Sequence, residues 1–504
     1  MASKGISPTR AEDFPAWFQS VVREAEVAEL AHVRGSMVIR PWGYAIWELM
    51  QSELDRAIKA SGAQNAYFPL FIPLSYFEEE AEHVEGFAKE MAVVTHHRLE
   101  EDPSDPGKLR PGGKLAEPLI VRPTSETIIG KSFSKWINSY RDLPLMVNQW
   151  ANVVRWEMRP RVLLRTTEFL WQEGHTAHAT EEEARRETEE MLEVYRSFAE
   201  SFLAMPVITG EKPEEERFPG AVMSISIEAM MQDGKALQAG TSHYLGQSFA
   251  RAAEIDFLDK DGERHLVHTS SWGVSTRLLG ALIMSHADDL GLRLPPTVAP
   301  QQVVVIPVLR GKDDDAVLAE VEALAGELRQ LSFRGSPVRV LADLRDREAP
   351  AKRWEWTRKG VPAIVEIGPR DLDQGVVAVR RRDDEGLGMD SLPRAKAAEE
   401  IGSILEQVQR GYFELAAERL ATRTARDIGN IDDFRAWFKG EDEDAAASGF
   451  VRAPWSEAPE SASILEELRV SVRCIPFDQQ LAPGSACVLT GKPAVVEAVF
   501  GKAY

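Results

Sequence analysis

The sequence predicts a multidomain chain of mixed α/β and α+β class: an antiparallel-sheet domain, then a small α/β domain, then a small α+β domain. Three observations predict this. "LMVNQWANVVRWE" and "VLLRTTEFLWQE" alternate polar and apolar residues and are joined by "MRPR", the pattern of an antiparallel strand pair with a loop. The Pro-rich "LRLPPTVAP" reads as a linker. After it, "QVVVIPVL", "SPVRVLADL", "PAIVEIG" and "GVVAVRRR" are strands with helices between the earlier ones, as in a small α/β domain. Finally, 504 residues correspond to about three domains at roughly 150 residues each.

Each element follows from its local pattern. "FPAWFQSVVREAEVAEL" is an amphipathic helix. A short strand, Met37 to Ile39, meets Pro41, and a long helix follows from about Gly43. "AYFPLFIPL" reads as a buried strand, and "EEDPSDPGKLRPGGK" as loop by its Pro and Gly content. "LAEPLIVRPTSETII" is a strand, a turn at Arg122–Ser125 and a helix that Thr124 or Ser125 would cap. The alternating strand pair comes next. Thr180 and Glu183 form a capping-box pattern opening an amphipathic helix to about Phe202. "GKALQAGTSHYLG" follows, and "LVHTSSWGVSTRLLGALIMSHA" is a strand, a Gly turn and a helix. From about Glu400 come a helix, an exposed acidic loop "KGEDEDAAASG" and short closing strands. The expected domains are residues 1–296, 297–400 and 401–504.

With 44% hydrophobic and 28% charged residues, the composition is that of an ordinary soluble protein. A net charge of -21 excludes a general DNA-coating protein but leaves room for a local basic patch. Two cysteines, Cys474 and Cys487, exclude a disulfide framework and fit a reducing compartment, so a cytoplasmic location is expected. "MASKGISPTRAEDFPAWF" has no apolar h-region. No apolar run approaches ~20 residues, so no membrane span is expected.

Several residues could carry chemistry. In a strand, Arg155 and Glu157 of "RWE" face the same side. They are either a surface ion pair of small value or a nucleotide site, with the guanidinium on a phosphate and the carboxylate accepting from an amine. On the second strand Thr167, Phe169, Trp171 and Glu173 share a face, a core stripe or a base-stacking shelf. Glu173, His175 and His178 lie within six positions, as metal ligands could. Arg277 reads as an arginine inside an apolar helix, followed by Leu278, Leu279, Ala281, Leu282 and Ile283. A buried guanidinium there needs an anion, either a carboxylate or a phosphate.

Taken together, "MVIRPWG" with Pro41, "RWEMRPRVLLRTTEF" and "GVSTR" resemble the three signature motifs of class II aminoacyl-tRNA synthetases. "RPTSE", "EFLWQEGHTAH", "QAGTSHYLG" and "SSWGVSTR" are similar to the prolyl-tRNA synthetase family in particular, and the resemblance extends to "FGKAY". It is closest to the archaeal/eukaryotic-like type. About 120 residues separate Arg155 from Arg277, which leaves no room for the large editing domain that the bacterial type inserts there.

The resemblance implies an ATP-dependent ligase that takes L-proline, ATP and tRNA(Pro), uses Mg²⁺, and dimerises through motif one. It implies Arg155 and Arg277 as catalytic residues, and an ATP site of Arg155, Glu157, Thr166, Phe169, Gln238, Thr241, Ser275 and Arg277. Phe169 and Arg277 would sandwich adenine. It implies a proline pocket of Thr124, Glu126, Arg155, Trp171, Glu173, His175 and His243, in which Glu126 accepts from the secondary ammonium and Trp171 walls the ring. His178 would sit beyond the rim, and no metal is then needed to explain Glu173, His175 and His178. The two steps would be adenylate formation and transfer to the terminal ribose, with no protein nucleophile. A pocket rejects a smaller apolar competitor by only ~1–3 kcal/mol per methylene, so some alanine should be activated.

The sequence also departs from this family. Its C-terminal domain often holds zinc on four cysteines, yet the positions expected to be cysteine read Ser456, Ser461, Cys487 and Thr490. No structural zinc is expected. In the helix that resembles an anticodon reader, "KRWEWTRKGVPAI", Thr357 replaces an acid and Ile364 a basic residue. Lys352, Arg353, Glu355, Arg358 and Lys359 are the anticodon candidates. Arg353, Arg358 and Arg380–Arg382 make either a basic patch for RNA or a solvated surface. These departures keep an adenylate-forming paralogue with another acceptor as an alternative. A non-catalytic regulatory subunit is disfavoured by the intact Arg155, Glu157, Phe169 and Arg277.

Overall fold

The computed structural model describes residues 5–78, 90–311, 313–384, 386–439 and 448–504. Most of the predicted acidic loop, residues 440–447, lies outside the described residues. Helix α1 (Phe14–Glu24) starts at Asp13, whose side chain accepts from Ala16 N at 2.9 Å, and buries Phe14, Trp17, Phe18 and Val21. β1 (Ala28–Leu30) pairs with β2 (Met37–Ile39). α2 (Pro41–Ala60) begins at Pro41 itself, earlier than the expected Gly43, because a first-turn proline lacks only an amide that would be orphaned anyway. Gly43 is required there: a Cβ would meet Val27 O at 2.2 Å.

Two loop and strand expectations are corrected. "AYFPLFIPL" is not one strand. Only β3 (Phe71–Pro73) is, after the two-residue strand Gln64–Asn65. Pro69 has no amide for a ladder, and Phe68 N instead donates to Gln149 Oε1 at 2.6 Å. "EEDPSDPGKLRPGGK" is largely a hairpin: β4 (Ala92–Glu101) and β5 (Leu109–Val121) pair antiparallel. The Pro and Gly content marked only its turn, where Asp102 Oδ1 accepts from Ser104 N.

After α3 (Glu126–Trp136) come β6 (Leu145–Val154), β7 (Glu168–His178), α4 (Glu181–Ser197), β8 (Val207–Glu211), β9 (Met223–Met230), β10 (Ala236–Gly246), β11 (His268–Ser275) and α5 (Arg277–His286). β6 and β7 are antiparallel, as expected. The Thr180 side chain accepts from Glu183 N and starts α4. α1, α2, α4 and α5 pack the main apolar core against one face of the sheet, with Trp17, Ile46, Met191, Tyr195, Leu279 and Leu282 inside. The other face of β7, β10 and β11 is left for a site.

The second region holds β12 (Val303–Pro307), α6 (Asp314–Arg329), β13 (Val340–Ala342), α7 (Ala349–Arg358), β14 (Ala363–Ile367), β15 (Val376–Arg381), β16 (Asp390–Pro393) and α8 (Ala397–Thr422). The sheet order is β13-β12-β14-β15-β16. β12 runs parallel to β13 and β14, whereas β15 pairs antiparallel with both β14 and the edge strand β16. The linker segment "LRLPPTVAP" is almost entirely buried. Leu292 N donates to Arg358 O and Thr297 Oγ1 to Gln409 Oε1, both at 2.9 Å. Beside it, Arg382 clamps Asp288 through both guanidinium nitrogens, and Arg293 joins them.

The last strands are β17 (Thr424–Ala425), β18 (Phe450–Trp455), β19 (Ser471–Pro476) and β20 (Val496–Gly501). They do not form a separate sheet. β19 pairs with β8 through Ile475–Glu211 and Pro476–Gly210. One eleven-stranded sheet therefore runs β17-β18-β20-β19-β8-β9-β10-β11-β7-β6 and ends on Gln64–Asn65. Gly210 allows the join, since a Cβ would meet Ile475 O at 2.4 Å.

Candidate active site

Strand register builds the site. Side chains alternate across a sheet, and pairing brings Glu173, Gly273 and Thr241 into one row across β7, β11 and β10. His175, Ser271 and His243 form the next row. Gln238 and Thr241 are an odd number of residues apart and would ordinarily face opposite sides. A bulge in β10, where Ala239 has no partner between the Ile227–Gly240 and Glu228–Gln238 pairs, shifts the register and turns both into the same cavity.

That cavity, about 270 Å³, is lined by Thr124, Glu126, Arg155, Phe169, Trp171, Glu173, His175, Gln238, Thr241, His243, Ser275 and Arg277. A second, about 320 Å³, is lined by Arg155, Glu157, Thr166, Phe169, Ser275 and Arg277 together with Glu90 and Arg165. Every residue expected from the first domain lies on one or both. Arg155, Phe169, Ser275 and Arg277 belong to both.

The carboxylates are held differently. Glu173 is buried; it accepts from Ser125 Oγ at 2.5 Å and Gln149 Nε2 at 2.8 Å, and its other oxygen meets His175 Nε2 at 3.0 Å. Thr124 Oγ1 donates to Glu126. The expected helix cap is thereby corrected. Ser125 is the N-cap residue of α3 but makes no side-chain cap bond, because its hydroxyl goes to Glu173.

The two histidines are driven apart. Burial disfavours charge on His175, but its hydrogen bond to Glu173 and the charges of Glu173 and Glu126 outweigh it and raise its pKa. His243 meets Ser224 Oγ at 2.8 Å. Burial, with His175 and Lys212, lowers its pKa to about 3, so it is neutral at pH 7. His178 is not in the pocket. It meets Thr176 Oγ1 at 2.8 Å on the opposite face, and burial lowers its pKa to about 4. Glu173, His175 and His178 make no three-ligand cluster. Among the described residues the one such cluster is Asp259, Glu263 and His265 on an exposed hairpin.

Arg155 and Glu157 do not share a strand face, since β6 ends at Val154. Arg155 N still reaches Thr167 O, and its Nε donates to Pro123 O at 2.9 Å. Its guanidinium lies 5.7 Å from the ring centres of Phe169 and Trp171. Glu157 turns back and accepts from Arg159 N at 2.8 Å. Arg277 is not buried in its helix. It is the first residue of α5, open to the cavities, with Nε on Leu164 O at 3.3 Å. The surrounding protein, then Arg165 and Arg155, lower its pKa to about 10, so it stays charged. No carboxylate pairs with it among the described residues, and at the open mouth of the cavities its charge needs none.

Lys212, which sequence reasoning missed, also lines the first cavity. It is buried with its Nζ on Glu228 Oε1 at 2.8 Å and Arg473 O at 2.7 Å. Arg473 binds the other Glu228 oxygen at 2.9 and 3.1 Å. Burial opposes charge on Glu228, but Lys212 and Arg473 lower its pKa overall. No local pattern in "GEKPEE" signals this long-range pairing.

The anticodon candidates line neither cavity and sit on α7 and its end. Lys352 is buried, with Nζ on Asp343 O at 2.8 Å. Arg353 binds both oxygens of Glu366. Glu355 accepts from Arg345 and Arg347. Lys359 reaches Glu26 at 2.8 Å, and Arg358 lies 3.6 Å from Glu24. The last two thus tie α7 to the first domain, where Trp42 Nε1 also donates to Lys359 O. The four positions compared with zinc ligands do converge. The Thr490 side chain and the Ser456 backbone lie near enough to the Cys487 thiol to help lower its pKa against burial, and Ser461 Oγ donates to Ser456 O at 3.3 Å. One thiol among three hydroxyls is not a zinc donor set.

Residues 113–286 match the tRNA synthetase class II core domain (G, H, P, S and T), residues 302–403 the Anticodon binding domain, and residues 442–504 the Prolyl-tRNA synthetase, C-terminal family. The chain is 55% identical over 502 residues to the "Proline--tRNA ligase" of Protochlamydia amoebophila (strain UWE25), covering 99% of this chain and 98% of that one. It is 55% identical over 500 residues to that of Paramagnetospirillum magneticum (strain ATCC 700264 / AMB-1), with the same coverage. It is 52% identical over 505 residues to that of Bdellovibrio bacteriovorus (strain ATCC 15356 / DSM 50701 / NCIMB 9529 / HD100), covering both chains fully.

Proposed function

Because this chain belongs to the proline--tRNA ligase family of class II synthetases, we propose that it activates L-proline with ATP and transfers the prolyl group to tRNA(Pro). One observation carries the reading: two cavities of different chemistry meet at Arg155, Phe169, Ser275 and Arg277. In the first, Trp171 walls the proline ring and Glu126 accepts from its ammonium, while Glu173 is held by Ser125, Gln149 and His175. In the second, Phe169 and Arg277 stack on adenine. Arg155, between the two, aligns the proline carboxylate with the α-phosphate and neutralises the charge that builds there. The carboxylate attacks phosphorus, pyrophosphate leaves, and the terminal ribose hydroxyl of the tRNA then attacks the acyl carbon and releases AMP.

Class II synthetases work with ATP and a divalent metal. Mg²⁺ would fit the nucleotide cavity, where Glu90 and Glu157 are the carboxylates that would help hold it. It would supply charge neutralisation on the departing pyrophosphate. Glu228 is committed to Lys212 and Arg473. Structural zinc does not fit the Ser456, Ser461, Cys487, Thr490 donors. A cytoplasmic homodimer is part of the proposal. The relatives named above are bacterial, so their source does not support the archaeal/eukaryotic-like assignment. What remains of that assignment is architecture, the short connection between Arg155 and Arg277.

Proline-dependent exchange of labelled pyrophosphate into ATP, then charging of tRNA(Pro), tests the reading. Exchange with another amino acid but not with proline overturns it. Exchange without charging favours the paralogue with another acceptor.

A further inference from the structure

The row of His175, Ser271 and His243 has a fourth member. Ser224 of β9 pairs directly with His243 of β10, and its Oγ lies 2.8 Å from His243 Nδ1. Ser224 is buried. Its Oγ also accepts from Phe218 N at 3.0 Å. The Phe218 ring lies against the imidazole, with ring centres 5.0 Å apart.

The protons in this group decide what His243 offers to a ligand. Burial, with His175 and Lys212 close by, lowers its pKa to about 3, so at pH 7 the ring is neutral and carries one N–H. A buried hydroxyl must also place its own hydrogen. Among the described residues, His243 Nδ1 is the one acceptor that the Ser224 hydroxyl reaches. Were Nδ1 protonated, two N–H groups would point at Oγ and the hydroxyl hydrogen would be buried without an acceptor, which is costly and rare. Nδ1 therefore accepts, and Nε2 holds the proton. Nε2 makes no hydrogen bond among the described residues yet is not shut off from solvent, and His243 lines the first cavity. A donor faces that cavity.

We propose that Ser224 is a positioning residue: its hydroxyl fixes His243 as an Nε2–H donor to a carboxylate oxygen of the substrate, so that the ring does not compete with Glu126 for the ammonium. Proline brings one donor group, its ammonium, and one acceptor group, its carboxylate. The opposite tautomer would present an acceptor to the ammonium and nothing to the carboxylate. The inference rests on the ligase reading.

Nitrogen NMR spectra of the full chain carrying isotope-labelled histidine read the tautomer without any assay of activity, the His243 signals being identified by their loss in His243→Leu. A proton on Nε2 and none on Nδ1 is expected; a proton on Nδ1 overturns the proposal. In proline-dependent pyrophosphate exchange, Ser224→Ala should lower kcat/KM for proline about tenfold, with KM for ATP within about twofold of the parent. Ser224→Thr keeps the hydroxyl and should stay within about threefold. Because Ser224 acts through the ring, adding Ser224→Ala to His243→Leu should change kcat/KM by less than about twofold. An equal loss in both backgrounds overturns the proposal and assigns the hydroxyl to Phe218 N alone. A proton found on Nε2 in a parent chain that shows no exchange with proline overturns the ligase reading and leaves the tautomer standing.

Discussion

Replacing Glu228 by Gln should loosen the join between the last strands and the rest of the sheet. Glu228 is fully buried and receives Lys212 Nζ at 2.8 Å, Arg473 at 2.9 and 3.1 Å, and Ser226 Oγ at 3.0 Å. Hydrogen bonds to charged groups contribute about 1.5–3 kcal/mol each. A glutamine carbonyl still accepts one or two of them, but two buried cations then lack an anion. Breaking a buried pair in this way costs about 3–5 kcal/mol. Because 1.36 kcal/mol is a factor of ten, local opening should become roughly two to four powers of ten more frequent. Hydrogen exchange of the β8 and β19 amides, at Thr209 to Glu211 and Val472 to Ile475, is the assay, since a multidomain chain need not unfold in one step. Exchange within about fivefold of the parent chain would mean the network stabilises little, and the reasoning fails. The double variant Glu228→Gln with Lys212→Met should recover part of the loss. The sign of the pH effect is also fixed. The folded pKa of Glu228 lies below 4.5, so its contribution is complete above that pH and is lost only as pH falls further.

Three more outcomes can be checked. Glu126→Gln should raise KM for proline about ten- to hundredfold in pyrophosphate exchange, from loss of one charged hydrogen bond, with KM for ATP nearly unchanged. His243 has a folded pKa of about 3 against 6.5 unfolded, so its neutral form favours the folded state fully above pH 6.5 and progressively less as pH falls towards 3. His243→Gln should therefore flatten the fall in urea midpoint between pH 7 and pH 5. Purified chain should carry well under one zinc, and a chelator should leave its unfolding unchanged; one tightly bound zinc per chain would refute the reading of Ser456, Ser461 and Thr490.

Much of the site was legible because it rides on regular alternation. Phe169, Trp171, Glu173 and His175 follow period two along β7, and their pairing partners were a strand away. Arg277 was recognisable but misplaced, because an apolar run after it looks the same whether the arginine is inside the helix or opens it. Gln238 and Thr241 came from resemblance alone, since the bulge that brings them to one face has no local marker. Charge partnerships were the least legible. Nothing near Arg382 announces Asp288, and nothing near Lys212 announces Arg473, because such pairs are chosen by the packed fold. Ser125 followed the same rule: a good cap by composition, it was claimed by a carboxylate 48 positions along the chain.

The continuous sheet makes the last strands a lid for an otherwise open flank. Without β19, the outer row of β8 amides and carbonyls would face water unpaired, with Gly210 at its centre, a ready template for another chain to add a strand. A shortened chain ending after α8 would therefore be expected to clump even with both cavities intact. On this reasoning β19 keeps the β8 edge from pairing with other chains.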